Sequence, residues 1–221
     1  MTLTISSITA GGADEVWVGF EFAEGDKVCR ERFLISVEAY TQMGIRKGPC
    51  GRELYDRVEE ESGIYAAFKR GLYILGYGAC SERMLTSKLI AKGFSRETAE
   101  EAARRINGAG YMDEELSARR EAERCAEKLW GESRIRAALK QKRYSDEAID
   151  DAMFALEDGG IDFAEQCKRV IDQKYKEIPT DRAEMQKLVA AVCRLGYSVS
   201  QIKSACVAVQ SERKRNALYR G

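Results

Sequence analysis

The segment KGFSRETAEEAARRINGAGYMD, residues 92–113, returns fifty residues later as KRYSDEAIDDAMFALEDGGID, residues 142–162. The punctuation is kept while most of the letters change. An offset of fifty places Leu85 on Ile135, Leu89 on Leu139, Phe94 on Tyr144, Ser95 on Ser145, Ala102 on Ala152 and Ile106 on Leu156, so every apolar position stays apolar. A further offset of fifty-three reaches Leu188, Val192, Tyr197, Ser198, Ala205 and Val209 in QKLVAAVCRLGYSVSQIKSACVAV. Self-similarity at a fixed period is the mark of a repeated structural unit, and three units of about fifty residues follow.

Within each unit, apolar residues four apart, such as Leu85 and Leu89, share one helix face. A glycine, Gly93 in the first unit, ends that helix, an aromatic staples the turn, and a serine caps the next helix. NGAG and EDGG supply C-terminal caps, and the following aspartates, Asp113 and Asp162, are placed to start a further helix. Residues 62–78, 114–131 and 163–177 read as an additional helix ahead of each hairpin.

The first sixty residues differ in kind. Residues 3–9, 15–22 and 27–35 are rich in β-branched and aromatic side chains and alternate in polarity, most clearly at Val16, Val18, Phe20 and Phe22. The breaks AGGAD and AEGD are hairpin chemistry, which predicts a three-stranded antiparallel meander. Three strands need a helical cover, which Ser36 is placed to cap. The expected fold is mainly α: three tandem three-helix repeats in an elongated array, after a small N-terminal β meander with covering helices. The boundaries are 1–60 for the strand region, 61–111, 112–160 and 161–210 for the repeats, and 211–221 for a basic tail read as an unstructured arm.

The composition narrows the chemistry. The chain has no histidine, which removes the commonest general base and metal ligand and every Ser-His or Cys-His nucleophile pair. No phosphate-binding loop of the GxxxxGK[ST] type occurs, and GAG at 108–110 and GG at 159–160 fall where helix caps belong. Seven scattered cysteines without a CxxC pair read as reduced thiols, mostly in helix cores. The carboxylates at 59–61 and from Asp146 onward read as solvated helix faces. Neither a signal peptide nor a long apolar run is present, so a cytoplasmic monomer without enzymatic activity, cofactor or metal is expected.

A net charge of zero conceals a division. Residues 119–143 hold nine basic residues against four acidic ones, whereas residues 144–166 hold eight acidic residues and no lysine or arginine. With Ile135, Ala138 and Leu139 turned inward, Arg136, Lys140 and Arg143 share an outward ridge. On the preceding helix, Ala118, Ala122, Cys125 and Leu129 form an apolar stripe beside a second ridge of Arg120, Arg124 and Lys128. Ridges of this kind suit a phosphate backbone or an acidic protein surface. They are equally compatible with a solvated face paired to nearby carboxylates.

RMLTSKLIAKGFSRETAEEAARRINGAGYMDEELSAR resembles the signature of the RecX family through Lys88, Leu89, Lys92, Gly93, Phe94 and Ser95, then Gly110, Tyr111, Met112, Asp113, Glu114, Leu116 and Ala118. KLWGESRIRAALKQKRYSDEAID resembles a second family segment through Gly131, Arg134, Ile135, Leu139 and Lys142, with Glu132 in place of the usual proline and Arg143 in place of the usual glycine. The resemblance runs from about residue 1 to 210 and is outline only in the third unit. It implies a non-enzymatic regulator of the RecA recombinase. Such a protein binds along the groove of RecA filaments on single-stranded DNA and inhibits their activities in recombination, DNA repair and the SOS response. Lys92, Gly93, Phe94, Ser95, Gly110, Tyr111 and Asp113 are then structural motif residues. Arg119, Arg120, Arg124, Lys128, Arg134, Arg136, Lys140 and Arg143 are nominated by their spacing as contacts to RecA or DNA phosphate. The alternative is a helical module that binds nucleic acid directly, without RecA.

Overall fold

The structure, a computed structural model, describes residues 3–24 and 27–218. It contains ten helices and a four-stranded antiparallel sheet among the described residues, and it divides into two compact units, Met1–Met112 and Asp113–Gly221.

The first unit opens with β1 (Leu3–Gly12), β2 (Glu15–Glu24) and β3 (Lys27–Ser36). Their alternation turns Leu3, Ile5, Val16, Val18, Phe20 and Ile35 to one buried face. Gly25 and Asp26, the tip of the expected AEGD turn, lie outside the described residues. Ser36 caps α1 (Val37–Met43) by accepting a bond from the Ala39 amide at 3.0 Å, and Gly44 ends it with φ +60°.

The three-stranded meander is corrected by a fourth strand. β4 (Gly48–Cys50) pairs antiparallel with residues 3–5 of β1 and gives the order β3-β2-β1-β4. Three residues with a central proline carry no strand pattern in sequence, and Pro49 is tolerated because an edge strand leaves one row of amides unpaired.

The covering helix is longer than the pattern suggested. α2 (Arg52–Leu75) runs unbroken through Ser62 and Gly63, across the expected boundary between residues 60 and 61. Its first half packs Tyr55 and Val58 on the sheet, where the Tyr55 ring meets Phe20 edge-on at 5.1 Å and Phe33 at 5.4 Å. Its second half packs Ile64 and Ala67 against α3 (Glu82–Ile90) and α4 (Arg96–Gly108) through Leu85, Leu89, Ala99, Ala102, Ala103 and Ile106. Glu61, near the middle of α2, is buried and accepts both terminal nitrogens of Arg105 at 2.6 and 3.0 Å, which ties α2 to α4.

The second unit holds two further helix trios. α5 (Glu114–Glu127), α6 (Glu132–Gln141) and α7 (Asp146–Asp158) enclose Ala118, Ala122, Cys125, Ile135, Leu139 and Ala152. α8 (Phe163–Lys174), α9 (Arg182–Cys193) and α10 (Val199–Leu218) enclose Cys167, Ile171, Leu188, Val192, Tyr197 and Ile202. Each fully buried leucine or isoleucine in these clusters contributes roughly 1.5–3 kcal/mol.

The two trios of this unit meet through backbone. The Gly131 amide donates to the Leu195 carbonyl at 2.7 Å, Ser133 Oγ donates to the Gly196 carbonyl at 2.8 Å, and the Tyr197 hydroxyl donates to the Leu129 carbonyl at 3.0 Å. Glycine is required at 131, since a Cβ there would stand 2.5 Å from the Gly196 carbonyl carbon and oxygen.

The C-terminal basic segment is not a free arm within the described residues. α10 continues to Leu218, and Arg213 donates to Asp172 Oδ1 at 2.6 Å and to the carbonyls of Asp172, Tyr175 and Lys176, which closes the end of α8. Lys214 and Arg215 are exposed on the same helix, and Arg220 lies outside the described residues.

Gly131→Ala drives a methyl into backbone that no rotamer change relieves. Its expected cost is about 2–3 kcal/mol, read as a lower denaturant midpoint for the second unit. Gly63→Ala, whose Cβ meets only Thr98 Cγ2 at 3.9 Å, is expected to hold or raise the midpoint of the first unit.

Candidate functional site

One turn occurs at three places. At α3–α4, α6–α7 and α9–α10 the chain passes through a left-handed residue, Gly93 (φ +96°), Arg143 (φ +61°) and Gly196 (φ +97°). An aromatic and a serine follow each. Phe94, Tyr144 and Tyr197 turn into the helix cores, and Ser95, Ser145 and Ser198 accept bonds from the amides of Thr98, Ala148 and Gln201. The Tyr144 hydroxyl is shared with Ser117 at 2.6 Å. Two further equivalent turns end α4 and α7, where Gly110 (φ +77°) and Gly160 (φ +88°) precede Tyr111 and Ile161, whose amides return to Ile106 and Leu156. Asp113 then caps α5, accepting from the Leu116 amide at 2.8 Å, and Asp162 caps α8. Tyr111 is exposed and meets Phe68 edge-on at 6.3 Å.

The nominated cations occupy the outer faces and ends of α5 and α6, but most have acquired partners. Arg119 pairs with Asp151 at 2.6 Å, and Arg136 bridges Glu132 at 2.9 Å and Asp150 at 2.5 Å. Lys140 stands 3.4 Å from Asp146, while Arg124 and Lys142 both pair with the buried Glu121. Three carboxylates of the acidic stretch, Asp146, Asp150 and Asp151 at the start and middle of α7, thus stand across from cations of α5 and α6. Hydrogen bonding to Asp151 raises the pKa of Arg119, and bonding to Asp150 and then Glu132 raises that of Arg136.

The two ridges are shorter than their spacing suggested. α5 stops at Glu127, so Lys128 and Leu129 (φ +56°) leave the helix, and α6 stops at Gln141, so Arg143 belongs to the turn. Lys128 and Arg134 lie over the Trp130 ring at 5.4 and 3.9 Å, and Arg134 also donates to the Arg194 carbonyl at 3.2 Å. Arg134 therefore braces the joint at Gly131 and Gly196. Arg120 and Arg143 are exposed and form no ion pair among the described residues. Trp130 escaped the sequence reading because its neighbours gain meaning only once the α5–α6 connection is folded.

No protein-family model matches the chain. The regulatory protein RecX of Vibrio cholerae is 32% identical over 133 residues, which covers 60% of this chain and 86% of that protein. The chain belongs to the RecX family. The RecX protein of Vibrio campbellii is 33% identical over 122 residues, covering 55% of this chain and 77% of that protein, and that of Chlorobaculum tepidum is 28% identical over 155 residues, covering 69% and 94%. A crystal structure of regulatory protein RecX shares the fold with a TM-score of 0.70 at 21% identity, covering 91% of this chain and 99% of that one. The RecX structure from Lactobacillus salivarius, at 14% identity, covers 67% and 97% with a TM-score of 0.56.

Arg143 holds a conformation that costs a side chain roughly 1–2 kcal/mol, with no side-chain ion pair among the described residues to offset it. Arg143→Gly removes that strain against the greater chain entropy of glycine. The expected net gain is about 0.5–1 kcal/mol, measured as a raised midpoint in chemical denaturation.

Proposed function

We propose that this chain regulates a RecA recombinase by binding RecA–DNA filaments along their groove and lowering their activity, with consequences for recombination, DNA repair and the SOS response in the cytoplasm. The kinship with regulatory RecX proteins over 86% of the Vibrio cholerae chain carries this reading. The repeated turns at Gly93, Arg143 and Gly196 support a finer one, in which the three helix trios are copies of one module adapted to different contacts.

The contact surface we assign is the outer face of α5 and α6. Arg120 and Arg143 are its cations without an ion pair among the described residues, Arg119, Arg136 and Lys140 are held only by surface ion pairs, and Arg124 is tied to the buried Glu121. Exposed pairs of this kind contribute about 0–1 kcal/mol each, so an incoming phosphate or a RecA carboxylate exchanges with them at little cost. Lys128 and Arg134, engaged on Trp130, border the same face. A surface neutralised in this way avoids indiscriminate anion binding and still offers cations to a partner that docks by shape.

Added to RecA assembled on single-stranded DNA, the protein is expected to depress ATP hydrolysis, and an unchanged rate at several-fold excess refutes the reading. The double variant Arg120→Ala/Arg143→Gly is expected to require about tenfold more protein for half-inhibition while remaining at least as stable as the parent. Equal potency removes these two residues from the contact.

A further inference from the structure

The first unit carries a cationic surface of a different kind. An open groove of about 480 Å³ lies between α2 and the α3–α4 turn, lined by Ala66, Lys69, Arg70, Tyr73, Lys92 and Phe94. No carboxylate lines it. Lys69 is held by Glu15 at 2.5 Å, but Arg70 and Lys92 face no anionic partner among the described residues. This is the reverse of the α5–α6 face, where carboxylates stand opposite most of the cations.

The aromatic side of the groove is equally unusual. Tyr73 is 55% exposed, and the Arg70 guanidinium sits 4.9 Å from its ring centre. Just past the end of α2, in the turn after Leu75, Tyr77 is 79% exposed and meets Tyr73 edge-on at 5.1 Å, with the two hydroxyls 2.7 Å apart. Arg70 and Tyr73 are i, i+3 neighbours on one face of α2, and the contacts of Tyr77 with Tyr73 extend that aromatic edge past the helix end. Lys92 enters from the other side, carried by the turn that Gly93 makes through φ +96°.

We propose that this groove binds single-stranded nucleic acid, with Arg70 and Lys92 on phosphodiester oxygens and the exposed Tyr73 ring, extended by Tyr77, as the stacking platform for an unpaired base. Cations beside open aromatic faces are the combination that tracks a single strand, because every base has a π-face and every linkage a charge. A duplex keeps its base faces inside the stack and leaves Tyr73 unused. An acidic peptide answers the cations but gives no occupant for the tyrosine edge. The site rests on the geometry of the first unit alone and is independent of the RecA reading.

The test uses the full chain without RecA, titrated onto fluorescein-labelled oligothymidylate and onto a labelled duplex, with fluorescence anisotropy read over a range of salt. Wild-type protein is expected to prefer the single strand. Arg70→Ala/Lys92→Ala is expected to weaken binding at low salt by about tenfold or more and to reduce the slope of log affinity against log salt by about 1.4, or 0.7 for each phosphate lost. Tyr73→Ala is expected to lose about fivefold or more with the slope unchanged. Arg96→Ala/Arg104→Ala, which removes equal charge from cations paired with Glu100 and Glu101 on α4, is expected to bind as wild type.

Thermal melts confirm that each variant is folded. The proposal is overturned if wild type does not bind the single strand, if the Arg70/Lys92 or Tyr73 variants bind unchanged, or if the Arg96/Arg104 control loses as much. Groove variants that keep naked-strand binding but fail on RecA filaments also overturn it and identify a protein contact instead. Since RecA is absent from the titration, failure of the filament reading leaves these outcomes intact.

Discussion

A backbone constraint organises the helical part of this protein: at the turn between two packed helices, one residue must enter the left-handed region so that the next can drop an aromatic ring into the core. Gly93, Arg143 and Gly196 meet that constraint, and Phe94, Tyr144 and Tyr197 use it. The serine that follows caps the second helix of each pair, so chain reversal, core anchoring and helix initiation are completed within four residues. Beyond this local economy, the third turn has an added role. Gly196 leaves its carbonyl open to Ser133 and its backbone flush against Gly131, which turns a helix connection into the joint of the second unit.

The same constraint bears on function through its exception. A side chain at 143 is strained where glycine is free, and it is an arginine that forms no ion pair among the described residues. Strain kept at an exposed, unpaired cation is the pattern expected where contact with a partner rather than stability holds the residue in place. Around it, ion pairs join Arg119 to Asp151, Arg136 to Asp150 and Lys140 to Asp146.

Much of this was legible in the sequence because the turns are local. An aromatic and Ser at fixed offsets, preceded by Gly at two of the three turns, announce the reversals, and the period of about fifty residues placed Leu85, Ile135 and Leu188 in equivalent buried positions. What the letters did not show depends on partners distant in the chain. That Asp150 and Asp151 neutralise Arg136 and Arg119 follows from how α7 packs on α5 and α6, which spacing along either helix cannot express. Lys92 and Phe94 read as turn residues and only the fold brings them beside Arg70 and Tyr73. β4 is too short to show a period, and α2 passes Gly63 because strong helix formers on both sides absorb a cost of about 1 kcal/mol.

The central claim is that the α5–α6 face is where this RecX-family chain meets the RecA filament. Hydrogen–deuterium exchange of the protein, free and bound to RecA on single-stranded DNA, tests it most directly. The account predicts slowed exchange in peptides spanning residues 117–128 and 132–145, including the turn at Arg143. Unchanged exchange across those residues, with the complex formed and protection confined to other segments, contradicts it.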